Sequence, residues 1–270
     1  FIMSIATRID TFFKKCQLAK VIKEWQTLSP DFAKELLLSE SLARYQNPNE
    51  AYRYFHQYFH HRCPQIIRDH RNYFSLENRG FGEEAMHAMW WLLFLEHKPI
   101  FCLEIGVYRG QVISLWTLIS KYINYSCHVY GISPFSSAAD EVSHYASGIN
   151  YYDDVLKNFN YFQLPLPNLV KSFSTDSLAL DTISSREWDL IYIDGSHDYD
   201  VVLNDYYNCK KYLKKGGFLI FDDSALYLNY EPPIFAFKGH IGPSKVVKEF
   251  VMNEMKFLGS VGHNLIFENY

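Results

Sequence analysis

The sequence predicts an α/β fold in which a mainly parallel sheet is covered by helices on both faces and preceded by a helical extension. Three observations carry this. From Pro99 onwards short apolar runs alternate with helix-like segments. The first of those runs passes through a glycine-bearing loop directly into a helix pattern. The last two runs are separated only by Gly262-His263, the spacing of a closing antiparallel hairpin.

Taken in order, residues from about Ala6 to Lys98 read as helical. Ser29-Pro30 and Asn47-Pro48 mark helix starts, because proline suits the first helical position, where no N–H is needed. Tyr52, Phe55 and Phe59 recur at helical spacing, which predicts packing against the main domain rather than ligand contact. Residues 1–98 are therefore assigned to a helical extension or lid and 99–270 to the main domain. There IFCLEI is the first strand, GVYRG the loop and QVISLWTLISKYI the helix. CHVYGI, NLVKS, WDLIYI and GFLIFDD supply further strands, with a helix over Asp200 to Leu213. A last helix from about Ser244 to Met255 precedes KFLGSV and NLIFEN, making seven strands in all.

A chain of 270 residues with 48% hydrophobic content can build a substantial core. Its net charge of −4 offers no broad basic field for a phosphate backbone, which argues against nucleic acid and for a small-molecule or glycan substrate. The five cysteines, Cys16, Cys63, Cys102, Cys127 and Cys209, lack CxxC spacing and read as reduced thiols. No leader pattern opens the chain, and the apolar stretch from Met89 to Leu95 is far short of the ~20 residues needed to span a bilayer. A soluble, cytoplasmic protein is expected, with no membrane partner and with homo-oligomerisation through the extension open.

In L-E-I-G-V-Y-R-G, Glu104 ends the first strand, while Gly106 and Gly110 permit a tight turn and close approach of backbone to a ligand. A carboxylate there can accept hydrogen bonds from a cationic amino-acid moiety. The GxxxG spacing is not the dinucleotide fingerprint, and no phosphate-binding loop is present. A purely structural strand-to-helix turn is the competing reading.

With LEIGVYRG, IDGSHDY and GGFLIFDD read in order, the region from about Arg79 to Tyr270 resembles the class I S-adenosylmethionine-dependent methyltransferases. The branch it most resembles holds macrocin-type sugar O-methyltransferases and cephalosporin-pathway relatives of natural-product biosynthesis, and its acidic cluster is similar to that of catechol O-methyltransferases. The resemblance implies a Rossmann-like sheet with Glu104, Gly106, Tyr108 and Gly110 around the methionine end of S-adenosylmethionine. It places Ser174, Thr175 and Asp176 beside adenine, although helix capping is an equal account of Ser174 or Thr175. The second strand ends at Ser133, where the family usually has an acid that binds both ribose hydroxyls. Serine makes one such contact, and Asp140 or Glu141 are candidates to compensate.

Asp194 follows WDLIYI and Asp222-Asp223 follow GGFLIF, so all three acids fall at carboxyl ends of parallel strands, where open α/β sheets build their sites. The resemblance implies that they hold a divalent metal, and oxygen-only ligands suit magnesium. Acids at strand ends also cap helices and solvate loops. His197, three positions after Asp194, is the preferred general base for a hydroxyl acceptor, with His240 in reserve and a solvated loop histidine as the bland alternative. The segments Asn78 to Glu83 and Gly239 to Ser244 read as mobile loops that complete a pocket, or else as connections and caps. Glu231-Pro232-Pro233-Ile234 resembles an amino-methylation motif but follows the wrong strand, and it is given no catalytic role.

The function expected from this is magnesium-dependent O-methylation of a sugar or other hydroxylated natural product. A non-catalytic methyltransferase-like binding or scaffold protein and a metal-independent N- or carboxyl-methyltransferase are the alternatives.

Overall fold

The computed structural model describes residues 17–136, 142 and 145–270. Cys16, Asp140 and Glu141 lie outside the described residues. The helical start expected before residue 17 lies outside them too.

The extension is helical as its capping signals predict, with one exception. After a helix over residues 17–26 (α1), Ser29-Pro30 opens only a single 3-10 turn, Pro30–Phe32, which tucks Phe32 into the core. Helix α2 follows at Leu38–Arg44, and α3 at Pro48–His61 is capped by the Asn47 side chain, which accepts from the Asn49 N–H. Tyr52, Phe55 and Phe59 are buried on α3. Helix α4 spans Gln65–Ser75 and α5 spans Glu84–His97.

Helix α5 is apolar around its whole circumference, the pattern of an element packed on every side. Its Trp90 meets Trp116 edge-on at 5.1 Å and Tyr192 of the sheet at 5.2 Å. Outside it, α3 packs on α5 and on the last strand pair, so extension and sheet share one hydrophobic cluster.

The sheet has seven strands in the order β3-β2-β1-β4-β5-β7-β6. Five are parallel: β1 (Phe101–Ile105), β2 (His128–Ser133), β3 (Asn168–Lys171), β4 (Trp188–Ile193) and β5 (Leu213–Phe221). The hairpin of β6 (Lys256–Val261) and β7 (Asn264–Glu268) closes the sheet antiparallel to β5. Helices α6 (Gln111–Tyr122), α7 (Tyr151–Tyr161), α8 (Ser177–Ser184) and α9 (Tyr199–Lys210) make the crossovers. Pairing of Ile105 with Ile132 and with Ile193 brings the carboxyl ends of β1, β2 and β4 to one edge.

Two boundaries differ from expectation. β5 begins at Leu213, because Lys214 to Gly217 continue the strand past an irregularity in its pairing with β4. The last helix starts at Ile241 (α10, Ile241–Val246), with His240 rather than Ser244 at its cap. It widens into a π turn at Val247–Val251 and ends as α11, Met252–Glu254. The Ser244 hydroxyl instead donates to the Asp223 carbonyl and accepts from the Leu226 N–H. Among the described residues no helix is long and apolar enough to cross a membrane.

Candidate active site

The carboxyl edge of the parallel strands opens into a cavity of about 740 Å³. Its floor is fixed by strand ends that lean on one another. The Gly106 N–H donates to the Ile132 carbonyl at 2.9 Å, Asp194 N–H to Ile105 at 2.8 Å, and Asp222 N–H to Ile193 at 3.0 Å. Gly106 has φ +103°, and a Cβ there would lie 1.9 Å from the Asp194 carbonyl oxygen, so only glycine allows the β1 and β4 loops to meet.

Glu104, Gly106 and Tyr108 line this cavity. Gly110, at φ +81°, sits at the cap of α6 against Val155. Glu104 is buried and its Oε2 has no hydrogen-bond partner. Burial pushes its pKa up to about 8. An orphaned buried acceptor at this point is matched by the cationic amino group of an amino-acid ligand, so the residues present fit the methionine end of S-adenosylmethionine.

Ser133 is buried at the cavity wall, where its hydroxyl accepts from the Phe135 N–H at 3.2 Å. Ser174 and Thr175 also line the cavity. Asp176 does not: it is exposed, occupies the cap position of α8 and accepts from the Ser172 hydroxyl and the Phe173 N–H, both at 3.1 Å. The cap belongs to Asp176, not to Ser174 or Thr175.

Across the cavity lie Asp194, Asp222 and Asp223, largely buried. Burial and the neighbouring Asp222 carboxylate push Asp194 well above the usual carboxylate range. Burial works to raise Asp222 as well, but His263 outweighs it and holds Asp222 low. His263 Nε2 lies 3.2 Å from Asp222 and 3.8 Å from Asp223, and its Nδ1 lies 3.8 Å from Glu83. Burial disfavours a charged His263, yet Asp222, Asp223 and Glu83 together lift its pKa to about 10, making it an imidazolium at neutral pH. Asn264 adds a donor to Asp222 at 2.7 Å.

These two hairpin residues, absent from the sequence-derived site, change the metal reading. Among the described residues, two sets of three side chains bring potential ligand atoms within 4.8 Å of one another: His197, Asp223 and His240, and Asp222, Asp223 and His263. Asp194 is in neither. Asp194 and Asp222 share a side-chain hydrogen bond, but Asp194, Asp222 and Asp223 do not all bring ligand oxygens within that distance of one another, and Asp222 also accepts from His263 and Asn264.

His197 Nε2 stands 3.0 Å from Asp223 Oδ2, and the His240 ring packs edge-on to it at 4.3 Å. Asp223 itself adopts φ +52°, an uncommon conformation for a residue with a side chain, held because its carbonyl accepts from the His240 N–H and the Ser244 hydroxyl. Gly242 lets the next loop close, since a Cβ there would sit 1.9 Å from the His197 carbonyl oxygen.

The segment before α5 forms another wall. Gln111 accepts from the Gly82 N–H at 3.0 Å, Arg79 and Phe81 line the cavity, and Arg109 pairs with Asp154 at 2.5 Å while donating to the Glu77 carbonyl. Residues 231–234 do not line the cavity.

The strand order, the C-terminal hairpin and a cavity at the parallel edge make this the Rossmann-like methyltransferase fold. Residues 103–224 match the family model of a methyltransferase domain. The chain is similar in structure to the SAH-bound methyltransferase PaMTH1 of Podospora anserina, with a TM-score of 0.53 at 14% identity over 77% of this chain and 88% of that one. It is similar also to an O-methyltransferase from Bacillus cereus in complex with SAH, with a TM-score of 0.53 at 15% identity over 82% of this chain and 96% of that one. In sequence it is 31% identical over 137 residues to an uncharacterized protein of Acanthamoeba polyphaga mimivirus, a match over 49% of this chain and 55% of the relative. The chain thus spans about half the length of that curated relative.

Proposed function

We propose that the chain is an S-adenosylmethionine-dependent methyltransferase that methylates a hydroxyl oxygen of a small molecule, of which sugars and other polyhydroxylated natural products are the leading class. The observation that carries this is the unpartnered Oε2 of Glu104 in the same cavity as the His197–Asp223 pair. The methyltransferase-domain match and the two SAH-bound structural neighbours support it.

S-adenosylmethionine, when bound, supplies an electrophilic methyl group on a sulfonium. Glu104 accepts from its amino group, the glycine loop lets backbone approach it, and Ser174 and Thr175 offer hydroxyls to the adenine. Ser133 offers the ribose a single oxygen, which also accepts from Phe135, in place of the two oxygens of a carboxylate. His197 accepts the acceptor's hydroxyl proton as oxygen attacks the methyl carbon and the carbon–sulfur bond breaks. Asp223 accepts from one ring nitrogen of His197, which leaves the basic lone pair on the other and stabilises the imidazolium that forms.

Calorimetry with S-adenosylhomocysteine is the first test; absence of binding sinks the proposal. With a hydroxylated acceptor panel, His197→Ala should lower turnover ~100- to 10,000-fold while leaving SAH affinity nearly unchanged. Equal activity in that variant would remove His197 as the base, and tight binding without turnover would favour a binding protein.

A further inference from the structure

We propose that His197, Asp223 and His240 form a site for a borderline divalent transition-metal ion, zinc foremost. His197 Nε2 and His240 Nε2 lie 3.0 and 3.7 Å from the same Asp223 Oδ2. Tetrahedral ligands about 2.0–2.1 Å from zinc stand roughly 3.3 Å apart, a spacing these two distances bracket. Two imidazoles and one carboxylate also match zinc, cobalt or nickel in softness better than they match magnesium, which prefers oxygen alone.

The three groups come from the β4–α9 loop and from the two ends of the β5–α10 connection, which are locked to one another. The Gly242 backbone abuts the His197 carbonyl, Gly239 abuts the Asp223 carbonyl, and the His240 N–H donates to that same carbonyl at 2.8 Å. The side chains are 14 to 29% exposed and all line the cavity, so an ion has a way in. The other cluster, at Asp222, Asp223 and His263, is a poorer competitor. Asn264 donates at 2.7 Å to the same Asp222 oxygen that His263 faces.

An ion held here takes a lone pair of His197, so metal loading and proton acceptance by His197 exclude one another. That corollary rests on the proposed methyl transfer; the site itself does not.

The test is titration of the metal-free chain with zinc by calorimetry and with cobalt by visible absorption. One ion per chain is expected, with the intense bands of low-coordinate cobalt. His240→Ala, His240→Gln and Asp223→Asn should each weaken zinc at least about 100-fold, given that even outer-shell changes cost 10- to 100-fold, while each variant keeps a cooperative thermal transition. A hundredfold excess of magnesium, a ratio of about 100 chosen from the ligand preference, should not displace cobalt. No binding, binding unchanged in both His240 variants, or ready displacement by magnesium would overturn the site. In turnover assays zinc should inhibit and a chelator restore activity; stimulation by zinc would keep the site and overturn His197 as the base.

Discussion

Glu104 is a buried acid whose Oε2 meets no hydrogen-bond partner in the protein. Because burial lifts its pKa to about 8, the free site is mostly protonated at pH 7, and an approaching ammonium lowers that pKa and drives a proton off. Binding of SAH should therefore release close to one proton at pH 7 and tighten as pH rises towards about 8. Calorimetry in buffers of different ionisation enthalpy reads this directly, and Glu104→Gln should abolish the release. The same shift works against folding: an acid raised in the folded state loses stability as pH climbs from its unfolded value through about 8, so the unliganded protein should melt lower at pH 8 than at pH 5 from this group alone. Glu104 was legible in the sequence because an acid at the end of an apolar strand, just before a glycine turn, has few structural reasons to be there. His263 was not, because a histidine after glycine in a tight hairpin reads as turn chemistry, and only the return of β7 beside β5 brings it to Asp222. Asp176 was misplaced by one step of loop geometry: its carboxylate closes the turn before α8 instead of facing the cavity.

At the level of elements, the site is a meeting of loops whose spacing is set by glycine. Gly242→Ala should displace the His197 loop, since its Cβ has no room beside the His197 carbonyl, and lower turnover at least about 100-fold with a smaller effect on SAH affinity. Comparing kcat with the SAH dissociation constant separates the two. The β6–β7 hairpin is equally committed: His263→Ala would leave Asp222, Asp223 and Glu83 with no cation between them and should cost about 3–5 kcal/mol in denaturant unfolding. The parallel strands were readable as elements because burial on both faces makes each a short continuous apolar run. The first half of β5 was not, since Lys214 to Gly217 carry no apolar signal and form the irregularity between Leu213, which pairs with Trp188, and Phe218, which pairs with Leu190. Ser29-Pro30 shows the reverse case, a good start signal followed by helix formers in which tertiary contacts win: Leu36 is buried and its N–H donates to the Tyr54 hydroxyl at 3.0 Å.

Across the whole molecule, the extension and the sheet are one packed body. Trp90 is 2% exposed and bridges Trp116 and Tyr192, so Trp90→Ala should cost about 3–5 kcal/mol in denaturant unfolding while leaving the number of SAH sites per chain at one. The α/β class and the strand inventory could be read from periodicity. That α5 is wrapped on every side followed from its composition only once a neighbour for each face was in place.

The contact of Gly106 with the Asp194 backbone also bears on how such a protein diversifies. With the β1 and β4 loops touching, neither tolerates an insertion, and sequence drift there is confined to side chains that leave the backbone alone. Residues 78–83 and 231–238 are instead held largely by side chains, the Gly82 N–H by Gln111, Glu231 by Asn49 and Phe237 by Glu83, contacts that can re-form around a changed length. Lineages that acquire new acceptors should show their length changes in those two segments, and constant length from Glu104 to Gly110 and from Asp194 to His197.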